Sequence, residues 1–187
     1  MDDRRVRKTK KALREALATL MLDKNLRHIT VKELTDTADV HRATFYTHYQ
    51  DVYDLYEQLE TQIIEELASL LADEFISSYE LWFKTLITYI YDNADVCRMF
   101  FAKMENNRFR SRIAKLFEES CLKFYQNLQQ TSMLPTEAQY YVTYHIQGCI
   151  SILGLWVDSN FSLSINEIVH LLISVDSNMD KLIAKIS

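Results

Sequence analysis

The chain has 187 residues, enough to bury a core as one or two domains, and 48% of them are hydrophobic, which is ordinary for a globular protein. Two glycines and one proline leave too little turn chemistry for hairpins and sheet corners, so the composition excludes most β architectures and points to an all-α fold. The net charge of −5 argues against nucleic acid until it is mapped: residues 1–50 hold 11 Lys and Arg against 7 Asp and Glu, whereas the remainder hold 10 against 19. A local basic face matters more to DNA than total charge does.

Seven basic side chains fall within the first fourteen residues: Arg4, Arg5, Arg7, Lys8, Lys10, Lys11 and Arg14. They read either as an arm or first helical turn against phosphates, with Arg4, Arg5 and Lys8 the first candidates, or as a solvated terminus. Helix 1 then buries Leu13, Leu17, Leu20 and Met21 and stops near Asn25. Thr30 with Glu33 three residues on is a capping box and opens helix 2. From Thr30 to Tyr49 two short helical patterns meet at a tight corner. Leu34, Ala38, Val40 and Phe45 stand where two crossed helices need apolar residues. This is helix-turn-helix spacing, in which the second helix enters the major groove. The outward residues of that helix, Arg42, Thr44, Tyr46, Thr47 and His48, include no acid, and Ala43 lies among them. Arg42 and Thr44 suit base edges. Tyr46, His48 and Tyr49 suit the backbone, and Tyr49 reads equally as a core aromatic.

The run Thr44-Phe45-Tyr46-Thr47-His48-Tyr49-Gln50-Asp51, with Ile29-Thr30-Val31-Lys32-Glu33-Leu34 before it, resembles the TetR/AcrR family of transcriptional regulators. The resemblance covers about Arg7 to Leu67 and weakens beyond. It implies a head of residues 1–50 and a body of residues 51–187 that binds an effector and dimerises. It also implies that Thr30 touches a phosphate as well as capping its helix. The sequence departs from the family at Asn25 and Asp39, where glycine is usual and φ > 0 is expected, and at Val52. Lys is common at that last position and contacts a phosphate, so one contact is expected to be missing.

Asp51 is expected to cap helix 4, with Asp54 in its first turn. Leu55, Leu59, Ile63, Leu67 and Leu71 form a stripe on it that runs to about Ser77. Further helices are expected over 79–91, from Asp95 to Met104, over 108–130, from Pro135-Thr136 to Asp158, and from Ser164 nearly to the end. That makes about nine helices. Gly148 and Gly154 both lie inside helix 8, where each costs about 1 kcal/mol relative to Ala. With Ser151 they make a small-residue strip that suits either a dimer interface or close packing within one subunit. Helix 9 offers Ile168, Leu172, Val175 and Met179, a face too apolar for a lone C-terminal helix. A four-helix bundle from two subunits, the usual arrangement in the family it resembles, would cover it.

The body is rich in aromatics. If it encloses a pocket for a small apolar or aromatic effector, Trp82, Phe101, Phe117, Tyr125, Tyr144 and His145 are the candidates; each reads equally as packing. The resemblance implies a dimeric repressor that binds palindromic double-stranded operator DNA and is released by that effector. The rival reading is a non-catalytic helical dimer that works through a protein partner and has lost DNA binding. The five histidines form no H-x-x-x-H or H-E-x-x-H pattern and the three cysteines no C-x-x-C pair, so neither a metal, a cofactor nor catalysis is expected. No apolar run reaches ~18 residues and no apolar segment follows the charged start, so neither a membrane span nor a secretory signal is expected, and a reduced cytoplasm fits.

Overall fold

The computed structural model describes residues 2–71, 78–101, 107–128, 130 and 136–176, and every regular element among them is helical. Helix α1 (Asp2–Asp23) is continuous, so the basic cluster forms its first turns and not an extended arm. Leu13, Ala16 and Leu17 give it a buried face. Asn25 follows with φ −70°, so the expected left-handed conformation does not occur there. A short 3-10 turn, Leu26–His28, leads on to α2 (Val31–Thr37). Thr30 caps α2 by accepting from the Glu33 N–H at 3.2 Å. The expected box is half formed, because the Glu33 carboxylate pairs with Lys24.

The corner after α2 is built by the main chain. Asp39 adopts φ 52°. Its N–H donates to the Asp36 carbonyl at 3.4 Å and the Val40 N–H donates to the Thr35 carbonyl at 3.0 Å. These two bonds are a Schellman closure, usually made with glycine in the left-handed position and here with aspartate. Helix α3 (Arg42–Tyr46) follows at once, and buried Leu34 and Phe45 belong to the core beneath the corner.

Helix α4 (Val52–Leu71) starts on Asp51, whose carboxylate accepts from the Asp54 N–H at 2.8 Å. Its Leu55, Leu59, Ile63, Leu67 and Leu71 are buried, each contributing about 1.5–3 kcal/mol as an upper estimate. Its predicted extension to Ser77 lies outside the described residues. The body adds α5 (Tyr79–Asp92), α6 (Ala94–Phe101), α7 (Asn107–Leu128), α8 (Thr136–Asp158) and α9 (Ile165–Asp176). Helix α5 packs on α9, α7 on α8, and α1 of the head on α6. Beside the α1–α6 contact, the Arg14 guanidinium donates to Asn93 Oδ1 at the α5–α6 corner at 2.7 Å.

Two polar links tie α4 to the body. Tyr89 Oη donates to Glu66 Oε2 at 2.5 Å, and burial, reinforced by that carboxylate, holds the phenol well above its usual pKa. Glu60, 2% exposed, accepts from Arg112 Nη1 of α7 at 2.7 Å. Arg108, one turn before Arg112, bonds Glu57 at 2.9 Å. Removing one partner of a buried pair strands the other charge. Arg112→Ala should therefore destabilise the fold by about 3 kcal/mol, the low end for such pairs, because 33% of the Arg112 side chain remains in water. Urea unfolding measures this, and Arg112→Lys should recover part of the loss.

Candidate nucleic-acid interface

Helix α3 divides into two faces. Phe45 is fully buried and packs edge-on against Tyr46 at 5.4 Å and tilted against Tyr49 at 5.5 Å. Arg42, Ala43, Tyr46 and Thr47 are exposed; Thr44 and His48 are half-buried. Thr47 differs from expectation in its chemistry. Its hydroxyl donates to the Thr44 carbonyl at 2.6 Å, so it offers a ligand lone pairs and not a proton. Thr30 stands exposed at the start of α2. An open groove of about 530 Å³ runs along the corner, lined by Lys32, Thr35, Asp36, Val40, His41, Arg42 and Ala43. Lys32 and His41 were not singled out from the sequence, although both flank the corner. Arg4, Arg5 and Lys8 are exposed on α1.

Two residues of the motif are buried, which decides Tyr49 for the core aromatic of its two readings. Tyr49 is 5% exposed and belongs to the core of the head, which withdraws it from the outward face. Its pKa is raised, first by burial and then by the nearby Asp54 carboxylate. Val52 is 4% exposed, so in this chain the position is a core position and its neighbour Tyr53 faces solvent.

The six aromatic and histidine candidates of the body differ in exposure. Trp82, Phe101, Phe117, Tyr125 and His145 are buried, and Tyr144 is 81% exposed. Trp82 packs edge-on against Phe117 at 5.8 Å, and His145 lies 3.5 Å from Cys149 Sγ through Nε2. Of the six, Phe101 borders a small cavity of about 20 Å³, together with Phe100, Phe109, Arg110, Ile113, Ile150 and Gly154. Sequence periodicity had marked none of Phe109, Arg110 or Phe100. A larger, open and polar cleft of about 940 Å³ separates α1 from α4 and the α5–α6 corner, with Arg7, Lys10, Lys11 and Arg14 opposite Glu57, Glu65, Asp92 and Asp95.

The residues expected at a dimer interface also split. Ile168 and Leu172 are each 1% exposed and fill the subunit's own core, where α9 packs on α5. Gly154 is buried and Ser151 half-buried. Gly148 and Val175 are exposed, and Met179 lies outside the described residues. On α8 the exposed positions Tyr140, Tyr144, Gly148 and Leu155 recur at helical spacing, and three of them are large and apolar at 75%, 81% and 70% exposure. A Cβ built at Gly148 would meet nothing within 4 Å, so packing inside the subunit does not require that glycine.

The fold agrees with that of solved relatives. Residues 77–175, more than half of the chain, match the TetR C-terminal family model described as "Transcriptional regulator C-terminal region". The chain belongs to the TetR family of transcriptional regulators. An uncharacterized HTH-type transcriptional regulator, YxbF of Bacillus subtilis, is 24% identical over 160 residues, which cover 81% of this chain and 40% of that protein; the chain thus spans less than half of that relative's length. Among solved structures, the dihydroxyacetone kinase operon activator DhaS superposes with a TM-score of 0.61 at 20% identity, covering 89% of this chain and 94% of its own. NalD of Pseudomonas aeruginosa, the secondary repressor of the MexAB-OprM multidrug efflux pump, superposes at 0.59 with 18% identity, covering 93% and 95%. Among the described residues of this family member, no helix is long and apolar enough to cross a membrane.

At the joint between head and α4, the Asp54 carboxylate accepts from the Gln50 N–H at 2.8 Å and from Gln58 at 3.0 Å. These bonds hold its pKa below the usual carboxylate value, the Gln50 N–H contributing most. The folded value is the lower one. Its stabilisation is therefore complete above the unfolded pKa and disappears as pH falls through the folded value. Asp54→Asn should flatten the acid limb of the stability profile, read by urea unfolding between about pH 3 and 7, and leave the slope near neutral pH unchanged.

Proposed function

We propose that the protein is a dimeric repressor that binds palindromic operator DNA through α2 and α3 and leaves it when a small apolar or aromatic molecule occupies the body. The observation that carries the DNA reading is the exposed row Arg42, Ala43, Tyr46 and Thr47 on a corner closed by its own main chain. Arg42 reads a guanine edge, and Thr44 and Ala43 pack on bases beside it. Thr30, Tyr46 and His48 hold the backbone, and Arg4, Arg5 and Lys8 add phosphate contacts from α1. Of the two departures, that at Asp39 keeps the turn, and that at Val52 leaves one phosphate contact unmade. Asp39 makes the left-handed turn that glycine would make, and Val52 is a core residue.

For the dimer, the support is the stripe of Tyr140, Tyr144, Gly148 and Leu155 on α8, with Val175 of α9 exposed as well. Covering it with a second copy about a two-fold axis makes a four-helix bundle and sets two α3 helices about 34–36 Å apart, one turn of DNA. Both regulatory signs occur among structural neighbours, since DhaS is an operon activator and NalD a repressor. Effector-driven change of the spacing between heads favours release, and hence repression, in this reading.

Arg42→Ala should weaken operator binding by about 1–3 kcal/mol and relax preference at one base pair, with dimerisation unchanged. Mobility shifts across a salt series check this, and binding to the intact site should weaken steeply with salt. Leu155→Glu together with Tyr144→Glu should convert the dimer to a folded monomer in sedimentation velocity and abolish operator binding. A promoter reporter that rises on deletion of the protein supports repression; one that falls makes it an activator.

A further inference from the structure

The small cavity between α6, α7 and α8 has apolar walls with one exception. Phe100 and Phe101 of α6, Phe109 and Ile113 of α7 and Ile150 of α8 line it, and Arg110 is its one charged lining residue. Gly154 closes it, and a Cβ there would meet nothing within 4 Å, so the missing side chain leaves space and does not admit a neighbouring helix. Arg110 is half-buried and its guanidinium donates to Ser151 Oγ at 3.2 Å, while the Ser151 hydroxyl donates to the Gln147 carbonyl at 2.9 Å. The contrast with its neighbours is informative. Arg108 and Arg112 of the same helix each have a carboxylate within 2.9 Å. Among the described residues Arg110 has none, and a hydroxyl is its sole partner. A half-buried cation beside an apolar space, with donors to spare, fits an anion carried on an apolar body.

We infer that this cavity is the effector site and that it accepts a small apolar carboxylate, its anionic group held by Arg110 and its chain or ring set among Phe100, Phe101 and Phe109. The inference rests on the effector reading given above and adds the ligand class and the place. A cavity of about 20 Å³ holds a single water, so a ligand must part the aromatic wall. That movement has a route to the head. Phe109 stacks on Phe100 at 4.6 Å, and Phe100 packs on Tyr56 of α4 at 5.0 Å. Arg112, one turn beyond Phe109, holds Glu60, one turn beyond Tyr56. A molecule that fits the parted wall and not the closed one would act on α4 through these contacts.

Calorimetric titration of the full-length dimer with phenylacetate and hexanoate, and with their neutral amides, tests the site. The carboxylates should bind saturably and the amides at least tenfold more weakly. Arg110→Gln should lose at least tenfold in carboxylate affinity, with Arg110→Lys intermediate. Gly154→Leu, which fills the space, should abolish binding while a circular-dichroism melt reports a folded protein; if that variant does not fold, Arg110→Gln decides alone. Absence of saturable carboxylate binding, equal binding of acid and amide, or an unaffected Arg110→Gln overturns the inference. Operator affinity measured beside these titrations separates the two readings. Carboxylates that bind through Arg110 without altering operator affinity leave the site standing and sink the effector mechanism. Release of the operator by other molecules, with no carboxylate bound, does the reverse.

Discussion

A carboxylate with almost no exposure to water must find a cation, and Glu60 finds Arg112. The leucine and isoleucine stripe of α4 would tolerate a shift of one turn along its neighbours, since one aliphatic side chain replaces another with modest loss. A buried charge would not, because displaced by a turn it would face hydrocarbon. The pair therefore fixes which turn of α7 lies against which turn of α4. Because α4 begins three residues after Tyr49, the same pair fixes how the head sits on the body. The Arg14–Asn93 bond between α1 and the α5–α6 corner holds the other side of that joint.

The head was legible because its information is local. Caps, the corner and the outward row of α3 all follow from residues within one turn of each other. What stayed open or failed there required knowledge of a third element. Tyr49 and Val52 belong to one buried cluster with residues of α1, α2 and α4, which no short window reveals. Asn25 keeps an ordinary φ because a 3-10 turn, and not a left-handed residue, ends the first connection.

The body was legible as helices and not as faces. Helix α9 is apolar on more than one side, and periodicity cannot say which side meets the subunit and which is left outside. Ile168 and Leu172 went to α5 and the core, while Val175 stayed exposed. The same ambiguity hid the arginines of α7. Positions 108, 110 and 112 look alike in a charged run, yet alternate members point to different neighbours, and only the fold shows that two meet carboxylates and one does not. Aromatic richness does not by itself separate packing from cavity lining: Trp82 packs edge-on against Phe117, while Phe100, Phe101 and Phe109 border a small space. The glycine at 154 was the better signal, because a helix rarely keeps glycine without a reason.

The Schellman closure at Asp39 has an evolutionary consequence. Main-chain bonds and the buried pair Leu34 and Phe45 set the angle of the corner, so that angle does not depend on the exposed side chains of Arg42 and Ala43. Exchanges at such surface positions usually alter stability by no more than about 0.5 kcal/mol. Arg42 and Ala43 are thus open to drift, and a lineage carrying this head can acquire new target preferences by single substitutions without first acquiring a more robust scaffold.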